Sequence, residues 1–293
     1  MNDKAFAIIG CGRLGTALAV ALTRRGYKPV GFCSRNTASA SALADMVQQE
    51  VVISRNPWDC TPMADIVFIT TPDDHIRPVC KSISKNQGLR KDSVYFHCSG
   101  SLPSTILADA CGGLVATASI HPVQSFSGGR YRSNPFSGIT MSVEGDPRAV
   151  RAARVIVADL DARVLPISTS GKEHYHAAAV VASNYLVTIA DLALSLMSCA
   201  AVPQQEALSV LQPLMLGTLK NIAEKGPAMA LTGPISRGDL NTIASHLNAI
   251  GSRDKNALEL YTALARRTVD IAAARQEMDP GVIQKLKELL KAS

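Results

Sequence analysis

The sequence predicts an α/β protein: a doubly wound, mostly parallel sheet in the N-terminal half, followed by an all-α half. Three observations carry this. Short apolar runs alternate with helical periodicity up to about residue 145. A glycine cluster follows the first apolar run at once. After Ser168 the strand signals stop and the helical pattern continues to the end.

The first run, residues 6–9, reads as a buried strand. "GCGRLG" follows it and opens an Ala/Leu-rich helix over residues 14–25. Further strands are predicted over 29–32, 66–70, 94–97, 115–120 and 139–143, with helices over 38–48, 75–84 and 102–110. Strands alternating with helices make βαβ units and a parallel sheet. Right-handed crossovers then bring the strand carboxyl ends to one edge, where ligands bind. Residues 144–168 add a helix and a strand, with Pro147 suited to the first turn after Asp146. Helices are expected over 172–200, 204–223, 240–250, 255–274 and 280–291. The apolar stretch 177–201 is interrupted by Ser183, Asn184 and Asp191, and is read as a buried helix rather than a membrane span. With no repeat or flexible linker, two domains are expected, 1–168 and 169–293, joined tightly around a cleft.

Composition narrows the class. The chain of 293 residues is 47% hydrophobic and 18% charged, enough for a sizeable core. Its net charge of +6 is scattered, with no basic stripe for nucleic acid. Seven cysteines without C-x-x-C spacing point to reduced thiols and against a metal site. The N-terminus runs directly into a strand with no apolar leader. A cytoplasmic location is therefore expected, with no membrane and no nucleic-acid partner.

The glycine cluster carries the strongest chemistry. Gly10 permits a tight turn, Gly12 lets backbone approach a pyrophosphate, and Gly15 lets helix pack on strand. With Cys11, Arg13 and Leu14, the cluster presents free N–H groups and a positive helix end to phosphates. The second strand ends in Ser34, Arg35 and Asn36 where an NAD site places an acid. A serine does not repel a 2′-phosphate and an arginine grips one, so NADP is the expected cofactor.

Other strand ends add candidates. Thr71 and Pro72 in "FITTPDD" would lie along the cofactor, with Asp73 or Asp74 capping the next helix. "YFHCSGSL" puts His97, Ser99 and Gly100 toward the nicotinamide end. Alternatively Ser99 or Ser101 caps the following helix and His97 is a satisfied core histidine. "SIHPVQSFSG" supplies His121, Gln124 and Ser125 to a covering loop, with His121 as a candidate acid or base. On the first long helix Lys172, Tyr175, His176, Ala179 and Ser183 share a face, bordered by Asn184. Lys172 would polarise or protonate the substrate and His176 donate a proton, unless Lys172 is a solvated first-turn lysine. In "LTGPISRGD", Arg237 would clamp an anionic substrate, or pair with Asp239, which would otherwise cap a helix.

Together the glycine cluster, "TPDD", "HCSGS", "HPVQSF", "KEHYHAAAVVASNYL" and "LTGPISRGD" resemble a two-domain family. Its members join a Rossmann-like NADP-binding domain to a helical domain called DUF2520. Such proteins are described as NADP- or F420-dependent oxidoreductases. The family is similar to the 6-phosphogluconate dehydrogenase and ketopantoate reductase superfamily, whose helical domain dimerises. That resemblance implies a homodimer, and a catalytic lysine at Lys172. The superfamily has asparagine four residues on, where this chain has His176. The pair His121-Pro122 resembles the His-Pro at the substrate site of prephenate dehydrogenases. The expectation is hydride transfer between NADP(H) and a small, carboxylated carbonyl, imine or hydroxy substrate. A non-catalytic NADP-binding redox sensor is the alternative.

Overall fold

In the computed structural model, which describes residues 4–124, 126, 131 and 133–291, the N-terminal half is built on one eight-stranded sheet. Its strands are β1 (Ala5–Ile9), β2 (Lys28–Cys33), β3 (Val52–Ser54), β4 (Ile66–Ile69), β5 (Val94–His97), β6 (Ala116–Pro122), β7 (Thr140–Gly145) and β8 (Arg163–Pro166). The order is β3-β2-β1-β4-β5-β6-β7-β8. The strand order changes hand between β1 and β4, which run parallel, so their carboxyl ends flank the crevice where doubly wound sheets take ligands. The expected mostly parallel sheet is present: six strands run one way, and β7 and β8 run opposite to them. Among the described residues no helix lies between β6 and β7, and antiparallel neighbours need no helical crossover. The short β3, and the helix α3 (Pro57–Cys60), escape sequence reading because three or four residues carry no period.

Helices cover both faces. α1 (Arg13–Arg24), α2 (Thr37–Val47) and α6 (Pro147–Asp159) pack Leu18, Leu43 and Ile156 with Phe6, Phe32, Phe68 and Phe96 of the strands. α3, α4 (Asp73–Lys85) and α5 (Thr105–Cys111) pack Ile76, Ile83 and Leu107 on the other face with Ile9, Ile69 and Tyr95. All seven cysteines are free, six of them buried and Cys199 exposed.

Along the carboxyl edge the pairing register aligns Cys33, Ile9, Ile69, His97, Ser119 and Glu144 as one row across β2, β1, β4, β5, β6 and β7. Half of that row is apolar and half is polar, yet His97, Ser119 and Glu144 are all buried. Buried polar groups must find partners, so this half-row fixes where the site is built.

The C-terminal half comprises α7 (Lys172–Cys199), α8 (Gln204–Ala230), α9 (Leu240–Gly251), α10 (Lys255–Ala273) and α11 (Pro280–Lys291). Ile243, Leu247, Val269, Leu286 and Leu290 form its core. α8 outruns its expected end at 223 but breaks at Gly226, whose φ of +75° precedes Pro227. The chain divides into two compact units between Ala182 and Ser183, inside α7. The reading of α7 as a buried helix is corrected: Lys172 is its buried residue, and Val187 is 69% exposed. Length and hydropathy alone would let residues 169–199 cross a bilayer.

Candidate active site

The glycine loop is shaped by two glycines and opened by the third. Gly10 has φ +111°, and a Cβ there would meet the backbone of Thr70 and Thr71 at 2.9 Å. A Cβ on Gly15 would come within 2.2 Å of the Gly10 carbonyl oxygen. Gly12 is different: a Cβ would meet nothing within 4 Å. Packing therefore requires Gly10 and Gly15, whereas only an approaching ligand would require Gly12. Gly12 is the N-cap of α1 and supplies no side-chain cap, and Arg13 beside it is exposed. The first N–H groups of the helix are thus open to a pyrophosphate. Cys11 is buried and donates its Sγ–H to the Cys33 carbonyl, while Leu14 packs on the core. At the end of β2, Ser34 is half-buried and Arg35 exposed, with no carboxylate among residues 34–36. Asn36 caps α2, its Oδ1 accepting from Ala38 N at 3.1 Å.

The ends of β4 and β5 are tied by one carboxylate. Asp73 Oδ2 accepts from the Ser99 and Ser101 hydroxyls, both at 2.9 Å. The capping roles expected for these residues are corrected. α4 has Pro72 at its N-cap, and α5 begins only at Thr105. Ser99 Oγ instead accepts from the N–H groups of Ser101 and Leu102, holding the loop before α5. Thr71 Oγ1 is buried in this crevice and has no partner among the described residues.

Beneath them lies the polar half-row. Glu144 accepts from Ser104 N at 2.8 Å, Ser104 Oγ at 2.7 Å and Thr169 Oγ1 at 2.8 Å. Lys172 Nζ sits 3.7 Å from Glu144 and donates to Ser119 Oγ. Lys172 is 1% exposed, so the solvated first-turn reading is wrong. Burial pulls the lysine down to about 8, with Glu144 working against that shift. Sequence reading missed Glu144 and Ser119. Their signal was polar residues inside otherwise apolar strands, "TMSVEG" and "ATASIHP".

Three histidines meet above this pair. His97 is fully buried; its Nδ1 accepts from Ser99 N at 3.2 Å, and the Pro103 carbonyl faces its ring. His121 Nδ1 lies 2.8 Å from the Tyr175 hydroxyl. The His121 and His176 rings stand edge to face, centroids 6.0 Å apart. Gly100 permits this: a Cβ there would fall 2.4 Å from His176 Nδ1 and 2.9 Å from His121 Nε2. Burial first, and the Lys172 charge second, hold both His97 and His121 down to about 4. Both are neutral at pH 7. His176 Nδ1 is buried without a partner among the described residues.

The remaining predicted residues are placed by element only. Gln124 is exposed just beyond β6, and Ser125 lies outside the described residues. Ser183 and Asn184 are exposed on the part of α7 that belongs to the second unit. Arg237 is exposed in the loop before α9. Asp239 resolves as the α9 cap, accepting from Thr242 N at 3.0 Å.

Residues 5–95 match the family described as NADP oxidoreductase, coenzyme F420-dependent, and residues 139–268 match DUF2520, a domain of unknown function. A Bacteroides fragilis protein assigned as an NADP oxidoreductase is 28% identical, with TM-score 0.74, covering 91% of this chain and 98% of its own. A Thermotoga maritima protein is 25% identical, with TM-score 0.72, covering 93% and 100%. An imine reductase of Myxococcus stipitatus shares the fold at 14% identity and TM-score 0.61, covering 97% and 99%. No curated protein matches.

Proposed function

This chain belongs to the two-domain family that joins an NADP oxidoreductase, coenzyme F420-dependent domain to a DUF2520 domain, and we propose that it reduces a small carbonyl or imine compound. It is an NADP-dependent oxidoreductase. The single observation behind the reaction class is the convergence of His121 and His176 on Gly100, at the strand end two strands along the sheet from the glycine loop. The neutral His121 imidazole, with His176 beside it, is poised to hold and protonate an oxygen or nitrogen. Bound at Gly12, NADP(H) supplies or accepts the hydride. Arg35 takes the 2′-phosphate, with Ser34 leaving room for it. Gly10, Cys11, Gly15, Thr71, Pro72 and Ser99 shape the crevice around the carrier. Lys172, sealed under Ser119, adds a fixed charge that works with burial to hold His97 and His121 neutral. It does not reach for substrate from solvent.

The finer parts of this reading rest on the sequence. Gln124, Ser125, Ser183, Asn184 and Arg237 are assigned to a carboxylated substrate, with Arg237 as its anion clamp. A second copy is assigned to the exposed apolar faces of α7 and α8, which include Val187 and Leu214, 69% and 66% exposed. An isolated soluble chain would leave these faces wet. The protein is placed in the cytoplasm, where its thiols stay reduced.

Calorimetry tests the coenzyme first. Wild-type protein binds NADPH more tightly than NADH, and Arg35→Glu loses at least tenfold of that preference. Equal affinities in the wild type, or an unchanged preference in the variant, refute the assignment. A screen of ketones, imines and their carboxylated forms, read by NADPH absorbance, finds the substrate. A deazaflavin arm covers the F420 alternative.

A further inference from the structure

Tyr175 has no role in the scheme above, although it makes the shortest contact to the histidine pair. Its hydroxyl lies 2.8 Å from His121 Nδ1, and the rings meet edge to face with centroids 5.7 Å apart. A phenol is a strong donor and a poor acceptor, while an unprotonated imidazole nitrogen accepts well. The same imidazole turns its Nε2 and Cε1 edge toward Gly100. We propose that Tyr175 is a positioning residue: by donating to Nδ1 it locks His121 in the tautomer whose Nε2–H faces the reacting group. This rests on the reductase reading, and deepens it.

Three features support the assignment. Tyr175 follows Lys172 by three positions on α7, one turn along the same face. Lys172 is clamped by Ser119 and Glu144, so the start of the helix, and with it Tyr175, is held in register with β6. Burial also raises the Tyr175 hydroxyl above its usual range, keeping it a donor at working pH. During reduction the Nε2–H bond breaks and the proton forms a bond to the substrate's oxygen or nitrogen. As it leaves, the Tyr175 proton passes to Nδ1; Nε2 then takes a proton from water and Nδ1 returns its own to the phenolate, which restores the starting tautomer. The substrate carbon receives the hydride that NADPH supplies, so the charges balance.

Imidazole ¹⁵N spectra of the full chain test this without any substrate. His121 is assigned by difference from His121→Gln. In the wild type at pH 7, Nδ1 reads as an acceptor and Nε2 as a protonated nitrogen. In Tyr175→Phe, which keeps the ring contact, the two nitrogens average toward a mixture while NADPH affinity stays within twofold. Once a substrate is known, kcat in that variant falls roughly 10- to 100-fold with little change in KM. A wild-type Nδ1–H tautomer, or an unchanged tautomer in Tyr175→Phe, overturns the proposal. Failure of NADPH to bind, with the tautomer locked as described, refutes the reductase reading and leaves the lock standing.

Discussion

Gly12 and Gly15 are three residues apart and identical in sequence, yet they answer to different forces. A methyl group at Gly15 would press on the Gly10 carbonyl, while one at Gly12 would meet open space. Gly15→Ala should therefore destabilise the coenzyme half by about 2 kcal/mol, read by denaturant unfolding. Gly12→Ala should unfold within about 0.5 kcal/mol of wild type but weaken NADPH binding by roughly tenfold or more. Equal stability losses in the two variants would mean that both glycines are structural. The motif was legible because its spacing is fixed by the ligand it serves. Gly100 was legible only as part of "HCSGS". Its reason, the close approach of two histidines, comes from β6 and α7, far away in sequence.

At the scale of elements, Glu144 ties three of them together. It stands at the end of β7, accepts from Ser104 before α5 and from Thr169 before α7, and faces Lys172 on α7. Removing one charge of a buried pair costs more than the pair is worth. Glu144→Gln is expected to destabilise by about 3 kcal/mol, and adding Lys172→Met to recover part of the loss. A double variant less stable than the sum of both singles would contradict this pairing. Sequence periodicity found α7 to within a residue of its ends, because its helical pattern is long and uninterrupted. The same pattern hid the burial of Lys172, since a first-turn lysine looks solvated until its strands are in place. It also hid the reversal of β7, because an isolated strand carries no sign of direction.

Over the whole molecule, two quantities respond together. His97 and His121 are held neutral down to about pH 4, whereas unfolded histidines take protons near 6.5. The unfolded chain therefore binds more protons between those values, and stability is lost as pH falls from 6.5 to 4. Thermal scans should show Tm dropping by roughly 5–10 °C across that window, and less in His97→Gln. A flat Tm would mean that the histidines are exposed. The apolar faces of α7 and α8 give the second response. Light scattering should return the mass of two chains, and Leu214→Lys combined with Val187→Lys the mass of one. A monomeric wild type refutes the dimer; a wild type that needs detergent points to a bilayer as the occupant instead.

The sequence by itself determined the alternation of strand and helix, the coenzyme loop and the switch to helices after Ser168. Each is written locally, in spacing and turn chemistry read over a dozen residues. Only the tertiary structure decided that His97, Ser119 and Glu144 share one row and that Lys172 is sealed against it. It also brought Tyr175 to His121. Those pairings depend on strand order, register and the docking of α7, which are set by packing between segments distant along the chain.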